Sequence, residues 1–105
     1  MHVQIVTFGL QGVTDEEYTA GCVEEAPAFA AVPGLLSKVW LRDHVAGSYG
    51  GVKLWADRQA MEEYLKGEIW RSIVTDPTYV DPVSRDFGVI EAATRVTRGY
   101  PAVLA

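Results

Sequence analysis

The sequence predicts an α+β domain of ferredoxin-like order, β-α-β-β-α-β, with a four-stranded antiparallel sheet and both helices on one face. Three features predict it. An apolar run, Val3–Phe8, runs straight into a helix-start signal at Thr14–Glu17. A long alternating hairpin spans Leu35–Ala56. A second capped helix after Asp57 leads to a final alternating segment.

Each element follows from local chemistry. Val3–Phe8 is β-branched and aromatic and is ended by Gly9 and Gly12, which reads as a strand. Thr14 with Glu17 three residues later is a capping-box pattern, with acids in the first turn to meet the helix dipole. Tyr18, Cys22, Ala26 and Phe29/Ala30 then recur at helical spacing as one apolar stripe. Pro27 lacks a backbone donor, so a kink or break is expected near Ala26. Pro33-Gly34 ends the helix. Leu35–His44 alternates and reads as a strand, Val45–Gly51 with three glycines as the hairpin loop, and Val52–Ala56 as the return strand. Asp57 caps a helix over Arg58–Lys66 that buries Met61, Tyr64 and Leu65, with Gly67 as its stop. Glu68–Val74 reads as a short extra helical turn carrying Ile69, Trp70 and Ile73. Asp76–Pro82, with two prolines, reads as loop, Asp86–Val96 as the last strand, and Tyr100–Ala105 as a tail.

Two crossovers in this order place both helices on one side of the sheet and leave the other side bare. The bare side carries large apolar residues whichever strand parity is taken: Val3/Ile5 or Val6/Phe8, Trp40 or Val39/Leu41, Trp55 or Val52/Leu54. A broad exposed apolar sheet is rare on a monomer, and two such faces bury each other about a two-fold axis. A homodimer through the sheet face is therefore expected.

Bulk properties narrow the function classes. A chain of 105 residues, 49% hydrophobic and 22% charged, has the balance of one globular domain. A net charge of −5 opposes nucleic acid, and no Lys/Arg run offsets it. No stretch reaches the roughly 20 apolar residues that a membrane helix needs. The start MHVQIVTFGL has no signal-peptide pattern, and one cysteine, Cys22, suits a reducing compartment, so a cytoplasmic location is expected. Two histidines and one cysteine offer no metal-ligand spacing. Gly47-Ser-Tyr-Gly-Gly51 precedes a strand, so it is not a phosphate loop, and no nucleophile-elbow pattern is present.

Pro33-Gly-Leu-Leu-Ser-Lys-Val-Trp40, Gly50-Gly-Val-Lys-Leu-Trp55, Ala60-Met-Glu-Glu-Tyr-Leu65, Asp86-Phe-Gly-Val-Ile-Glu91 and Thr97-Arg-Gly99 together resemble the YdhR-like mono-oxygenase family of the dimeric α+β barrel superfamily. The resemblance spans roughly Val3 to Gly99. It implies a back-to-back dimer and a cavity between helices and sheet in each subunit. It further implies a cofactor-independent mono-oxygenase of a small aromatic, phenolic or polyketide-like substrate. A cyclase or isomerase on the same scaffold, or a non-catalytic ligand-binding dimer, are the alternatives. No catalytic signature of the family carries over onto named positions.

Candidate residues therefore come from chemistry. His44, at the end of the long strand, is the candidate general base for a phenolic proton, against the plain reading of an exposed strand-end histidine. His2 is read as surface or terminal. Tyr18, Phe29, Tyr64 and Trp70 are the candidate walls of an aromatic pocket, with Tyr18 and Trp70 at its mouth. Lys38, Lys53 and Arg42 lie in strands. A buried interface ion pair, with Glu91 of the last strand as partner, is preferred for them over contact with an anionic substrate. Cys22 is read as buried and inert. No cofactor is called for.

Overall fold

In the computed structural model, which describes residues 1–101, the elements run β1 (His2–Leu10), α1 (Asp15–Ala30), β2 (Leu35–Asp43), β3 (Ser48–Trp55), α2 (Arg58–Leu65), α3 (Glu68–Thr75), β4 (Tyr79–Gly88) and α4 (Glu91–Val96). The four strands form one antiparallel sheet in the order β2-β3-β1-β4, the ferredoxin-like arrangement. The helix starts are built as their sequences demand. Thr14 Oγ1 accepts from the Glu17 N–H at 3.1 Å, and Glu17 Oε1 accepts from the Thr14 N–H at 2.9 Å. Asp57 Oδ1 accepts from the Ala60 N–H at 2.8 Å.

Strand parity is set by β1. His2, Gln4, Val6 and Phe8 are all buried and point to the helices, and the register carries that face onto Trp55, Lys53, Gly51 and Tyr49 of β3. On β2 the same face carries Lys38 and Trp40. Two clusters form under the helices: Phe29, Trp55, Met61 and Tyr64 at one end, and Val6, Phe8 and Tyr49 at the other. The opposite face carries Val3, Ile5, Val39, Leu41, Val52, Leu54, Val83 and Phe87. Val39 is 60% exposed there and Phe87 53%. The tryptophans thus belong to the helix side.

Several expectations are corrected. Helix α1 runs through Pro27 to Ala30 without a break. The proline removes the donor that would meet the Val23 carbonyl, and Val23 is exposed, so water can serve that carbonyl. The hairpin turn is shorter than expected, because Ser48–Gly51 already belongs to β3. Strand β4 begins at Tyr79 and takes in Pro82. It is an edge strand, where a missing donor is tolerated, and it carries an irregularity marked by Asp81 at φ 48°. The segment Glu91–Val96 is helix α4, not strand. It leaves Glu91 3.7 Å from the N-terminal ammonium, so that carboxylate is no partner for Lys38, Lys53 or Arg42. His2 is buried, with Nε2 2.6 Å from Asp86 Oδ2. Trp70 sits on α3, the helical turn expected after Gly67. Tyr100 is buried, and residues 102–105 of the expected tail lie outside the described residues.

Candidate active site

A cavity of about 260 Å³ lies between α1, α3 and the helix-facing side of the sheet. Its position follows from three periodicities. Helix α1 sends Tyr18, Cys22, Glu25 and Phe29 into it, residues four, three and four apart and so on one helix face. Helix α3 sends Ile69, Ser72 and Ile73. The sheet sends Val6, Phe8, Lys38, Trp40, Gly51 and Lys53, alternate residues of three neighbouring strands.

One end is aromatic and edge-to-face. Phe8 meets Tyr18 at 5.9 Å and Tyr79 at 4.8 Å between centroids, and Tyr18 meets Tyr49 at 5.1 Å. Burial, and then a hydrogen bond with Cys22, push the Tyr18 phenol well above the ordinary tyrosine range. The other end holds the lysines. Lys38 Nζ lies 3.4 Å from the Phe29 ring centroid and 3.3 Å from that of Trp40, the approach of a cation–π cage. Lys53 is 2% exposed, with Nζ 5.2 Å from the Tyr64 centroid. The two lysines are directly opposed in the β2–β3 ladder, where like charges repel. Among the described residues neither is paired with a carboxylate. Burial, reinforced by the Lys53 charge, lowers Lys38 to about 7. Burial lowers Lys53 to about 8.

Gly51 makes this floor possible. A Cβ there would stand 2.8 Å from Lys38 Cε, so the missing side chain is what lets Lys38 lie across β3. Gly50, at φ 151°, would bring a Cβ within 1.8 Å of the Val6 carbonyl oxygen.

The candidate residues divide. Tyr18 and Phe29 line the cavity. Tyr64 and Trp70 do not. Tyr64 is 6% exposed and wedged among Phe29, Trp55 and Trp70, with burial raising its phenol and its hydroxyl finding no partner among the described residues. Trp70 packs against both core clusters. His44 also lies outside the lining. Its side chain is 74% exposed, with Nδ1 3.8 Å from Asp15 Oδ1. Asp15, at the start of α1, further takes Arg42 Nη2 at 2.9 Å and the Tyr49 hydroxyl at 2.8 Å, so Arg42 finds its partner here. Cys22 lines the cavity. Lys38 and Lys53, expected in a buried interface ion pair, line the cavity instead. The signal was parity, since Lys38 lies two residues before Trp40 and Lys53 two before Trp55.

Residues 3–100 match the family described as "Putative mono-oxygenase ydhR". The chain belongs to this family. Among solved structures, the family member is similar to NE2512, a protein of unknown function from Nitrosomonas europaea, at 14% identity and TM-score 0.70, covering 85% of this chain and 88% of that one. It is similar to the heme-degrader MhuD from Mycobacterium tuberculosis at 19% identity and TM-score 0.68, covering 86% and 96%. It is similar to SnoaB, a cofactor-independent oxygenase from Streptomyces nogalater, at 20% identity and TM-score 0.64, covering 85% and 93%. At these identities the likeness shows the fold. No protein of curated function matches the chain by sequence. Among the described residues no helix is long and apolar enough to cross a membrane.

Proposed function

We propose that the chain is a cofactor-independent mono-oxygenase of a small phenolic or polyketide-like aromatic, bound in the cavity between α1, α3 and the sheet. The observation that carries this reading is an aromatic cavity whose floor holds Lys38 and Lys53 without a carboxylate partner. Unpaired buried ammonium groups favour the ionised form of an acidic phenol or enol. Such an anion can itself pass an electron to dioxygen, so the protein has to bind it, orient it and take its proton. The lysines divide that work. Lys53, at about 8, keeps its charge near pH 7 and faces the developing oxyanion, while Lys38, at about 7, is the proton acceptor inside the cavity.

Tyr18 and Phe29 form the walls against which the substrate ring packs. Tyr64 and Trp70 back Phe29 and the α2–α3 side of the core. His44, exposed beside Asp15 and outside the cavity lining, is given no part in the proton transfer. The reading includes a cytoplasmic homodimer, supported by the single cysteine and by the apolar sheet face bearing Val39, Val83 and Phe87. Haem degradation, the activity named for MhuD, is not proposed. Among the described residues no histidine lines the cavity.

The test is oxygen uptake by metal-free protein with an anthrone and a hydroquinone. Uptake should occur and should fall by about 10²-fold or more in Lys38→Met. Absence of uptake across a broad panel sinks the reading. Turnover that persists without oxygen selects a cyclase or isomerase, and binding without turnover a ligand-binding dimer.

A further inference from the structure

We infer that Lys38 is a nucleophilic amine, forming an imine with an aldehyde or ketone admitted to the cavity, with Lys53 as the neighbouring ammonium that keeps it reactive. Three observations meet at this point. Lys38 lines a cavity large enough for a small ring compound. Its nitrogen lies between two aromatic rings, Phe29 and Trp40, with no carboxylate to hold it as a fixed ion pair. Its cross-strand partner is a second lysine, more deeply buried than itself. An apolar site beside another cation is the environment in which a lysine amine becomes a nucleophile at neutral pH.

The groups that bias Lys38 can be named from each side. On α1, Cys22 and Glu25 favour its protonated form, while Lys53 on β3 and burial itself oppose it. Helix α3 presents only Ile69, Ser72 and Ile73, none of them ionisable in this range. Opposition prevails, and Lys38 stands at about 7. Near pH 7 about half of it is then neutral, against roughly one in three thousand for an ordinary lysine.

The chemistry balances without an oxidant or reductant. The Nζ lone pair of Lys38 adds to the carbonyl carbon, and the oxygen takes up a proton to give a carbinolamine. The C–O bond then breaks with a second proton, supplied by the Lys53 ammonium. The water carries away one amine hydrogen and the proton from Lys53, and the second amine hydrogen returns Lys53 to its ammonium form. Protonation of the imine makes it an electron sink for the carbon next to it. This chemistry goes beyond the oxygenase reading and needs neither oxygen nor turnover to be detected.

The chain makes the test unusually clean, because Lys38, Lys53 and Lys66 are its three lysines. Lys66, with a side chain 73% exposed, is the internal control. The intact protein is incubated near pH 7 with 4-hydroxybenzaldehyde and cyanoborohydride, which reduces any imine to a stable secondary amine, and the adducts are mapped by mass spectrometry. Lys38 should be labelled at least about tenfold faster than Lys66, a smaller advantage than its roughly 10³-fold larger neutral fraction because a weaker base is also a weaker nucleophile. Lys53→Met should slow labelling of Lys38 at pH 7, since the charge that suppresses its protonation is gone. Lys66 labelled as fast as Lys38, or a wild-type adduct found on Lys53 instead, overturns the proposal.

Discussion

Replacing Lys53 by methionine should stabilise this protein near neutral pH. Lys53 is 2% exposed, unpaired and opposite Lys38. Burial lowers its ammonium from 10.5 to about 8. The sign of the linkage follows from where each state releases the proton. The unfolded chain holds it up to about 10.5 and the folded chain only up to about 8, so between these values the unfolded state binds more protons and stability rises with pH. Below about 8 both states are charged and the full cost of burying the ammonium stands. That cost is about 3 kcal/mol, at about 1.4 kcal/mol per tenfold change. Methionine keeps the chain length and the apolar contact and carries no charge. Loss of the cation–π contact with Tyr64 takes back about 1 kcal/mol, leaving a net gain of about 2 kcal/mol at pH 7. In a chain of this size that is about 10 °C in Tm. Lys38, lowered to about 7, adds a rise of its own from pH 7 upward. Above about pH 10 the trend reverses, because burial holds Tyr18 and Tyr64 protonated in the fold while they ionise in the unfolded chain. The informative window is therefore pH 8 to 10. Urea unfolding at fixed protein concentration should show the wild type gaining about 2 kcal/mol or more across that window, and Lys53→Met markedly less. A variant less stable than wild type at pH 7, or a wild type flat between pH 8 and 10, refutes the reasoning.

Three further outcomes follow from other parts of the molecule. Gln4 is fully buried, accepts from the Trp55 indole N–H at 3.1 Å and donates to Ser84 Oγ at 2.9 Å, so Gln4→Leu strands both partners. Its urea midpoint should drop by the equivalent of about 2 kcal/mol with the slope unchanged. Gly51→Ala puts a methyl group against the movable end of Lys38, so the melting temperature should shift little while titration with a fluorescent phenolic ligand shows weakened binding in the cavity. Val39→Glu places a charge on the exposed part of the sheet face opposite the helices, and native mass spectrometry should find dimer for the parent chain and monomer for the variant, with the circular dichroism spectrum retained.

The architecture was legible because its punctuation is local. The Thr14–Glu17 box and the Asp57 cap need only neighbours a few residues away, and both helices start where those residues stand. The misread elements are those where context overrode composition. Pro82 argued for loop, but β4 is an edge strand, where a proline costs no ladder bond. Pro27 argued for a break, but the turn it weakens faces solvent, and the apolar face carrying Cys22, Ala26 and Phe29 continues past it. Glu91–Val96 alternates in sequence, yet Gly88 closes the strand that pairs with His2, and the chain leaves the sheet.

The site was obscured by a different problem, one that the lysines rather than the aromatics could have resolved. Both faces of the β2–β3 hairpin are apolar, so Trp40 and Trp55 fit a dimer interface as readily as a core. A strand face, however, is inherited by every second residue. The face that takes the tryptophans takes Lys38 and Lys53 with them. Turned outward into a dry two-fold interface, that parity would bury four unpaired ammonium groups between two sheets, each costing several kcal/mol. Turned toward the helices, it puts two of them in each chain at the edge of a cavity, where their pKa values fall and a ligand anion can meet them. The uncharged set, Val39, Leu41 and Val52, is the one a sheet face can bury against its own copy. Charge therefore selects the parity, and the same choice that leaves an apolar face for assembly places an unpaired lysine couple in the candidate active site.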